Sequence, residues 1–451
     1  MTETHASEPA WLTRALRPFY EVRPGEAVTA ALLTLNVFLL LTAYYVLKPL
    51  REDLILAMKS GAEYKSYLSG GIALLLFVLV PLYGKLVDSL PRAKLVIGVS
   101  LAFALQLLLF RGFVSIPGAR ALVGMLFYAW VGVFNVMVVA QFWGYANDLY
   151  EKEQGDRLFP MVALGASVGA ATGTKVAKFL INGLGKPSMM LVSALLLGAC
   201  AALFWLIERR ETKARPPSAP AAPASDGKAR RGGFALVVKY RYLLLIAAFS
   251  LIYNWVNSNG EYMLSRVITQ DALAANPGLS VDDERVGKYI GGAYADFYFY
   301  VNVAGVLLQS LVVSRLVRRL KLPAAFLFLP LIALGNAFIF AFVPIVALAK
   351  LGKTAENATD YSLNNTLKQM LWLVTAPDMK YKAKQVVDTF CVRIGDVCSA
   401  GSVWLAANVL HLAVPQFAWL SIALTGAWLF LALAIGRLYR DLEARKERLG
   451  A

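Results

Sequence analysis

Apolar stretches of about 20 residues, the length a helix needs to cross a hydrocarbon core, recur along the whole 451-residue chain. They fall near residues 27–52, 66–87, 95–112, 119–146, 158–182, 187–208, 242–267, 290–314, 323–342, 343–374, 384–410 and 415–437. The pattern predicts an all-α membrane protein with twelve transmembrane helices. The tenth segment is the most polar, because Lys350, Lys353, Glu356, Asp360 and Lys368 interrupt it. In the fifth, Gly165, Gly169 and Gly173 stand at four-residue spacing, which predicts a close helix crossing.

Polar positions divide the pattern. Glu208 to Arg241 holds four prolines and nine Lys or Arg, so 209–241 is expected to be a flexible basic linker. On either side lie an N-terminal half, 27–208, and a C-terminal half, 242–437, each with six helices. A polar segment, 1–26, precedes them and a basic tail, 438–451, follows. The face assigned to the termini and linker carries roughly three times as many Lys and Arg as the opposite face, which puts both termini in the cytoplasm and the protein in the cytoplasmic membrane. The opening 25 residues lack the pattern of a signal peptide, so the first helix is expected to act as its own insertion signal.

Composition narrows the function. With 58% hydrophobic residues, 16% charged residues and a mean hydropathy of +0.57, the chain is not a soluble globular protein. The net charge of +16 is spread over many short loops, with no aromatic-interleaved basic patch, so nucleic acid is not an expected partner. Cys200, Cys391 and Cys398 lie in apolar runs and suit helix packing; with His5 and His411 they give no metal-ligand spacing. No phosphate-binding loop occurs, and no Ser/His/Asp or Cys/His arrangement. The sequence therefore points to no enzyme chemistry, metal or cofactor.

What remains is a set of ionisable residues inside spans. Lys48, Arg51 and Glu52 stand at i, i+3 and i+4 around Pro49, at the end of the first apolar run. A charge at bilayer depth costs about 2.5 to 3.5 kcal/mol on insertion scales, so such residues face a protein interior or a water-filled path. Alternatively the helix ends at Leu47 and the charges reach the headgroups. Asp53 faces away from the other three and is expected to tolerate amidation. The second half adds Glu261, Arg266, Asp296, Lys353, Glu356, Asp360, Lys368, Asp388, Arg393 and Asp396. Some of these will pair, as Arg393 can with Asp396 at i, i+3, and Glu261 most simply with Arg266. The rest would form a polar cavity suited to an anion. Tyr44, Tyr45, Asn254, Trp255, Asn257, Asn259, Tyr361, Asn364 and Asn365 accompany them; rings could stack on a planar base, and equally could anchor helix ends at the interface.

Two resemblances sharpen this reading. Gly84-Lys-Leu-Val-Asp88 through Arg92 resembles the loop after the second helix of major facilitator transporters, and Ser314-Arg-Leu-Val-Arg-Arg-Leu-Lys321 is a looser copy in the second half. Four further segments are similar to the nucleotide transporter family of plastid and intracellular-bacterial ADP,ATP carriers. They are Leu47-Lys48-Pro-Leu-Arg51-Glu52; Phe142-Trp-Gly-Tyr-Ala-Asn147 through Glu151, Arg157 and Pro160 to Gly165-Ala166; Tyr253 to Glu261 with Ala295-Asp296-Phe297; and Tyr361-Ser-Leu, Lys368-Gln-Met370, Lys382 to Asp388 and Arg393-Ile-Gly395.

The resemblance implies a major-facilitator-like exchanger of nucleotides such as ATP and ADP, working by alternating access in the bilayer. Lys48, Arg51, Tyr45, Asn147, Asn257, Lys368 and Arg393 would bind substrate; Glu52, Glu261, Asp296 and Asp388 would couple or gate. Two departures stand out. The family has a glutamate where this chain reads Trp130-Val131-Gly132, and a lysine where it has Asp396. They favour, as an alternative, a transporter of another organic anion, a phosphorylated metabolite or amphiphile, or a proton-coupled one; a rival of another class is a membrane binding or sensor protein that does not transport, with the basic linker as its docking arm.

Overall fold

The structure, a computed structural model, describes residues 21–23, 25–116, 118–150, 152–212, 227–375 and 383–448. The expected segment 1–26 and linker 209–241 therefore lie partly outside the described residues, as do the last three positions of the tail. The described residues contain helices and no strand. In chain order the helices are α1 (Ala27–Leu56), α2 (Gly61–Ser89), α3 (Arg92–Phe113), α4 (Arg120–Leu149), α5 (Lys152–Gly183), α6 (Lys186–Thr212), α7 (Gly227–Lys239) and α8 (Arg241–Ala274). They continue with α9 (Glu284–Leu307), α10 (Ser314–Ala325), α11 (Phe328–Phe342), α12 (Val346–Thr359), α13 (Asn365–Met370), α14 (Lys384–Val386), α15 (Val392–Asn408) and α16 (Val414–Arg448). Single π-helical turns at Leu308–Val313, Asp360–Asn364 and Val387–Cys391 join α9 to α10, α12 to α13 and α14 to α15.

Helix occurs in every expected apolar segment. Among the described residues eight helices are long and apolar enough to cross a membrane, or nine if α7 and α8, bent by 102°, count as one span. The other three expected spans fall short for visible reasons. α5 is too rich in Gly, Ser and Thr to reach the hydropathy of the other spans, α11 has only 15 residues, and α12 with α13 holds the buried ion pairs described below. Large apolar side chains point outward along the helices, such as Phe430 at 70% and Leu195 at 65% exposure, as lipid-facing positions do. The last part of the expected linker is helical: the Phe234-Ala-Leu-Val-Val run of α7 seats Val237 in a core with Tyr242, Leu243 and Ile246.

Contacts divide the chain into two units, 1–54 with 79–222 and 291–299, and 55–78 with 223–290 and 300–451. In the first unit α3 packs on α6, and α1 is clamped to α6 where Asn36 donates to the Cys200 carbonyl at 3.0 Å. The glycine stripe of α5 lies on α1. A Cβ on Gly165, Gly169 or Gly173 would come within 2.7, 2.4 or 2.6 Å of the carbonyl oxygens of Thr34, Phe38 and Thr42. Only glycine lets the two backbones approach this closely. In the second unit α8 packs on α15 and α16. Gly395 plays the same part there, its missing Cβ leaving 2.6 Å to the Leu251 carbonyl.

Candidate functional site

In the first unit α1 runs unbroken through Pro49 to Leu56, so the reading in which the helix ends at Leu47 does not hold. Glu52 and Asp53 are both fully buried, and neither can reach the headgroups. Arg51 Nη2 pairs with Glu52 Oε1 at 2.6 Å, and its guanidinium lies 4.6 Å from the centre of the Tyr128 ring. Tyr298 donates its hydroxyl to the same Glu52 oxygen at 3.2 Å. Its ring also lies 3.9 Å beneath Lys48 Nζ, and the Tyr45 ring is 5.3 Å from that nitrogen. Lys48, Arg51, Tyr45 and Glu52 are thus gathered as the sequence suggested, two cations against one carboxylate on a floor of tyrosines. Aromatic faces stabilise cations at low water content, which is how this cluster holds charge inside a span.

The rest of the first unit departs from expectation. Asp53 does face away, but it forms a buried pair with Lys186 at 2.7 Å, so it is a structural anchor and not a tolerant position. Asp296 pairs with Lys178, at 2.8 and 2.6 Å to its two oxygens, a lysine that the sequence reading passed over although it stands inside an expected span. Asn147 does not join the cluster. It is exposed at the end of α4, beside Asp148, which pairs with Arg92; at 1.5 Å per residue it sits about 28 Å along the helix from Tyr128.

The second unit holds a chain of buried charges. Lys353, with no exposed side-chain surface, pairs with Glu356 at 2.8 Å and lies 3.9 Å from Glu261. It donates to Asn257 Oδ1 at 2.8 Å. Glu261 is 3.8 Å from Lys65, Lys65 donates to Ser265 at 2.9 Å, and Asn357 donates to Glu261 at 3.2 Å. Two lysines and two glutamates balance, which keeps the desolvation penalty tolerable. Arg266 is not the partner of Glu261; it pairs with Glu63 at 3.3 Å.

A second group forms around the π-helical turn at Asp360. Tyr253 donates to Asp360 at 2.5 Å, Asn364 donates at 2.7 Å, and Lys368 stands 3.8 Å away and 4.5 Å over the Tyr253 ring. Arg393 pairs with Asp396 at 3.3 Å, as the i, i+3 spacing predicted. Asp396 also accepts from Asn254 and Ser258. Asp388 lies in the third π-helical turn, with Lys384 and Lys368 as the cations acting on it. Such turns recur at functional sites, and here two of the three carry a candidate acid. Three of the amides that sequence offered to a base are engaged between helices: Asn254 with Asp396, Asn257 with Lys353 and Asn259 with Ser399.

With this geometry in place, comparison with known proteins assigns the fold. The family model described as Major Facilitator Superfamily matches residues 28–363. The chain belongs to the major facilitator superfamily. Among solved structures, the nucleoside transporter NupG is similar at a TM-score of 0.61 and 13% identity, covering 91% of this chain and 99% of NupG. A POT family peptide transporter is similar at a TM-score of 0.62 and 12% identity, covering 92% of this chain and 96% of its own.

Curated relatives of this major facilitator protein are the ADP,ATP carrier protein 1 of Chlamydia trachomatis, 21% identical over 70% of this chain, and the chloroplastic ADP,ATP carrier protein 1 of Arabidopsis thaliana, 23% identical over 71%. The chain spans 65% of the first and 55% of the second. The ADP,ATP carrier protein 1 of Chlamydia pneumoniae, 21% identical, is covered over 90% of both chains. The resemblance drawn from motifs is thus met by these relatives.

The departures from the family pattern have structural settings. Trp130 stacks on Phe134 at 5.4 Å and on Phe127 at 5.7 Å, and its Nε1 donates to Gln106 at 2.6 Å. Trp130, in the stretch where the resemblance leads one to expect a glutamate, is thus held in an aromatic cluster. Asp396, where the resemblance leads one to expect a lysine, pairs with Arg393 at 3.3 Å. Among the described residues no group of three or more His, Cys, Asp or Glu could hold a metal ion.

Proposed function

We propose that this major facilitator protein is a secondary transporter that exchanges nucleotides, ATP against ADP with or without phosphate, across the cytoplasmic membrane by alternating access. The observation that carries the reading is the cluster of Lys48 and Arg51 against Glu52, backed by Tyr45, Tyr128 and Tyr298. Lys48 and Arg51 are the cations offered to phosphate oxygens, and the Arg51 fork can hold two of them at once. Neighbouring rings suit a planar base, at about 1 to 3 kcal/mol per stacked base. The names of the curated relatives, ADP,ATP carrier proteins, point the same way. In this reading Lys368 and Arg393 also take part in substrate binding, Glu261 and Asp388 couple, and both termini face the cytoplasm.

A second reading, exchange of another phosphorylated or amphiphilic anion, is favoured by the Trp130 cluster and by the Arg393–Asp396 pair. Both involve positions where the resemblance leads one to expect a different ionic group. Uptake of labelled ATP into proteoliposomes loaded with ADP separates the two. The first reading expects uptake that depends on internal nucleotide, whereas the second expects no ATP uptake whatever the internal anion.

A further inference from the structure

The Lys178–Asp296 pair is unlike the Lys186–Asp53 pair. Lys186 and Asp53 are sealed, with 10% and 0% of their side chains exposed. Lys178 and Asp296 keep 43% and 28% exposed although they bond at 2.6 Å. Breaking a sealed pair strands a buried charge, whereas a solvent-screened pair is held weakly and can exchange partners.

Its surroundings suit an anion. Lys175, Lys178 and Asn182 stand at i, i+3 and i+7 on α5 and so share a face. With Phe179 and Gly183 they line a shallow, open groove of about 350 Å³. The Lys175 ammonium is held 3.7 Å from the centre of the Phe299 ring, which keeps it beside the groove without neutralising it. Two lysines therefore meet a single carboxylate. The helix that supplies Asp296 and Phe299 also supplies Tyr298, whose hydroxyl meets Glu52.

We propose that Lys175, Lys178 and Asn182 form a second anion subsite, held by the Asp296 carboxylate in this structure and taken by a phosphate group that displaces it. Lys178 is then shared between Asp296 and the ligand, and Asp296 acts as a competitor rather than a ligand. The subsite rests on the nucleotide reading only for the source of its phosphate.

The test is binding of inorganic phosphate and of ATP to the purified full chain in detergent at fixed salt. Asp296→Asn removes the competitor and is expected to tighten phosphate binding about threefold to tenfold, while Lys178→Gln weakens it about tenfold or more. Lys178→Arg keeps the charge and should retain binding, which covers the case in which a variant does not fold. Unchanged phosphate affinity in Lys178→Gln, or weaker binding in Asp296→Asn, overturns the subsite. ATP binding that ignores Lys178 but falls in Arg51→Ala refutes the subsite and leaves the nucleotide reading standing. Phosphate binding that follows Lys178 without any ATP binding supports the subsite and refutes the nucleotide reading.

Discussion

Lys65 and Lys353 lie on opposite oxygens of one carboxylate: Glu261 Oε2 is 3.8 Å from Lys65 Nζ, and Glu261 Oε1 is 3.9 Å from Lys353 Nζ. Glu261→Gln would leave Lys65 with the Ser265 hydroxyl and Lys353 with Glu356, so both lysines keep a partner. Exchange in proteoliposomes should fall to background while folding is largely kept. Glu356→Gln instead breaks the 2.8 Å pair of a lysine with no exposed surface, a change that costs about 3 to 5 kcal/mol. Thermal unfolding in detergent should therefore rank Glu356→Gln well below Glu261→Gln, and equal losses would contradict the assignment of Glu261 to coupling.

The crossing of α1 and α5 gives a packing prediction. Gly169→Ala puts a Cβ 2.4 Å from the Phe38 carbonyl oxygen, a backbone atom that cannot rotate away, so a loss of about 1 to 3 kcal/mol is expected. Gly198→Ala, on α6, meets nothing within 4 Å. It should be neutral or stabilise by up to about 1 kcal/mol. Melting temperatures of the two variants against the unmodified protein check both signs.

Glu26, just ahead of α1, gives a prediction in pH. Burial alone would raise its carboxyl, but hydrogen bonds from Arg157, from the Arg23 backbone and from Gln154 outweigh burial and hold it below the usual carboxylate range. A carboxyl lowered on folding stabilises above its unfolded pKa, and that contribution is lost as pH falls through the folded value. Glu26→Gln should thus destabilise at neutral pH, and the difference from the unmodified protein should shrink as pH drops below the ordinary carboxylate range. A gap that stays constant with pH would show that packing, not charge, is responsible.

Much of this architecture is legible in the sequence, and the limits are physical. Apolar length places the helices because a hydrocarbon core sets the length that spans it. Four-residue glycine spacing and the Arg393–Asp396 pair are legible because both act within one or two helical turns. Asp53 with Lys186, Asp296 with Lys178, and Glu261 with Lys65 join residues more than a hundred positions apart. No spacing rule reaches them, since each depends on which helices pack together. Lys178 was nonetheless within reach: a lysine inside a predicted span demands a partner. Asn147 shows the converse, because similarity of motif fixes a residue's place in the chain and not its depth along a helix.

Arg51 decides the central claim. Arg51→Lys keeps the charge and loses the two-point fork, whereas Arg51→Ala loses both. A charged hydrogen bond is worth about 1.5 to 3 kcal/mol, so nucleotide affinity should fall about tenfold or more in the alanine variant, with lysine in between. The direct measurement is the ATP dissociation constant of unmodified protein, Arg51→Lys and Arg51→Ala in detergent at fixed salt. The graded loss is the predicted result, and equal affinity in all three would contradict phosphate binding by the α1 cluster.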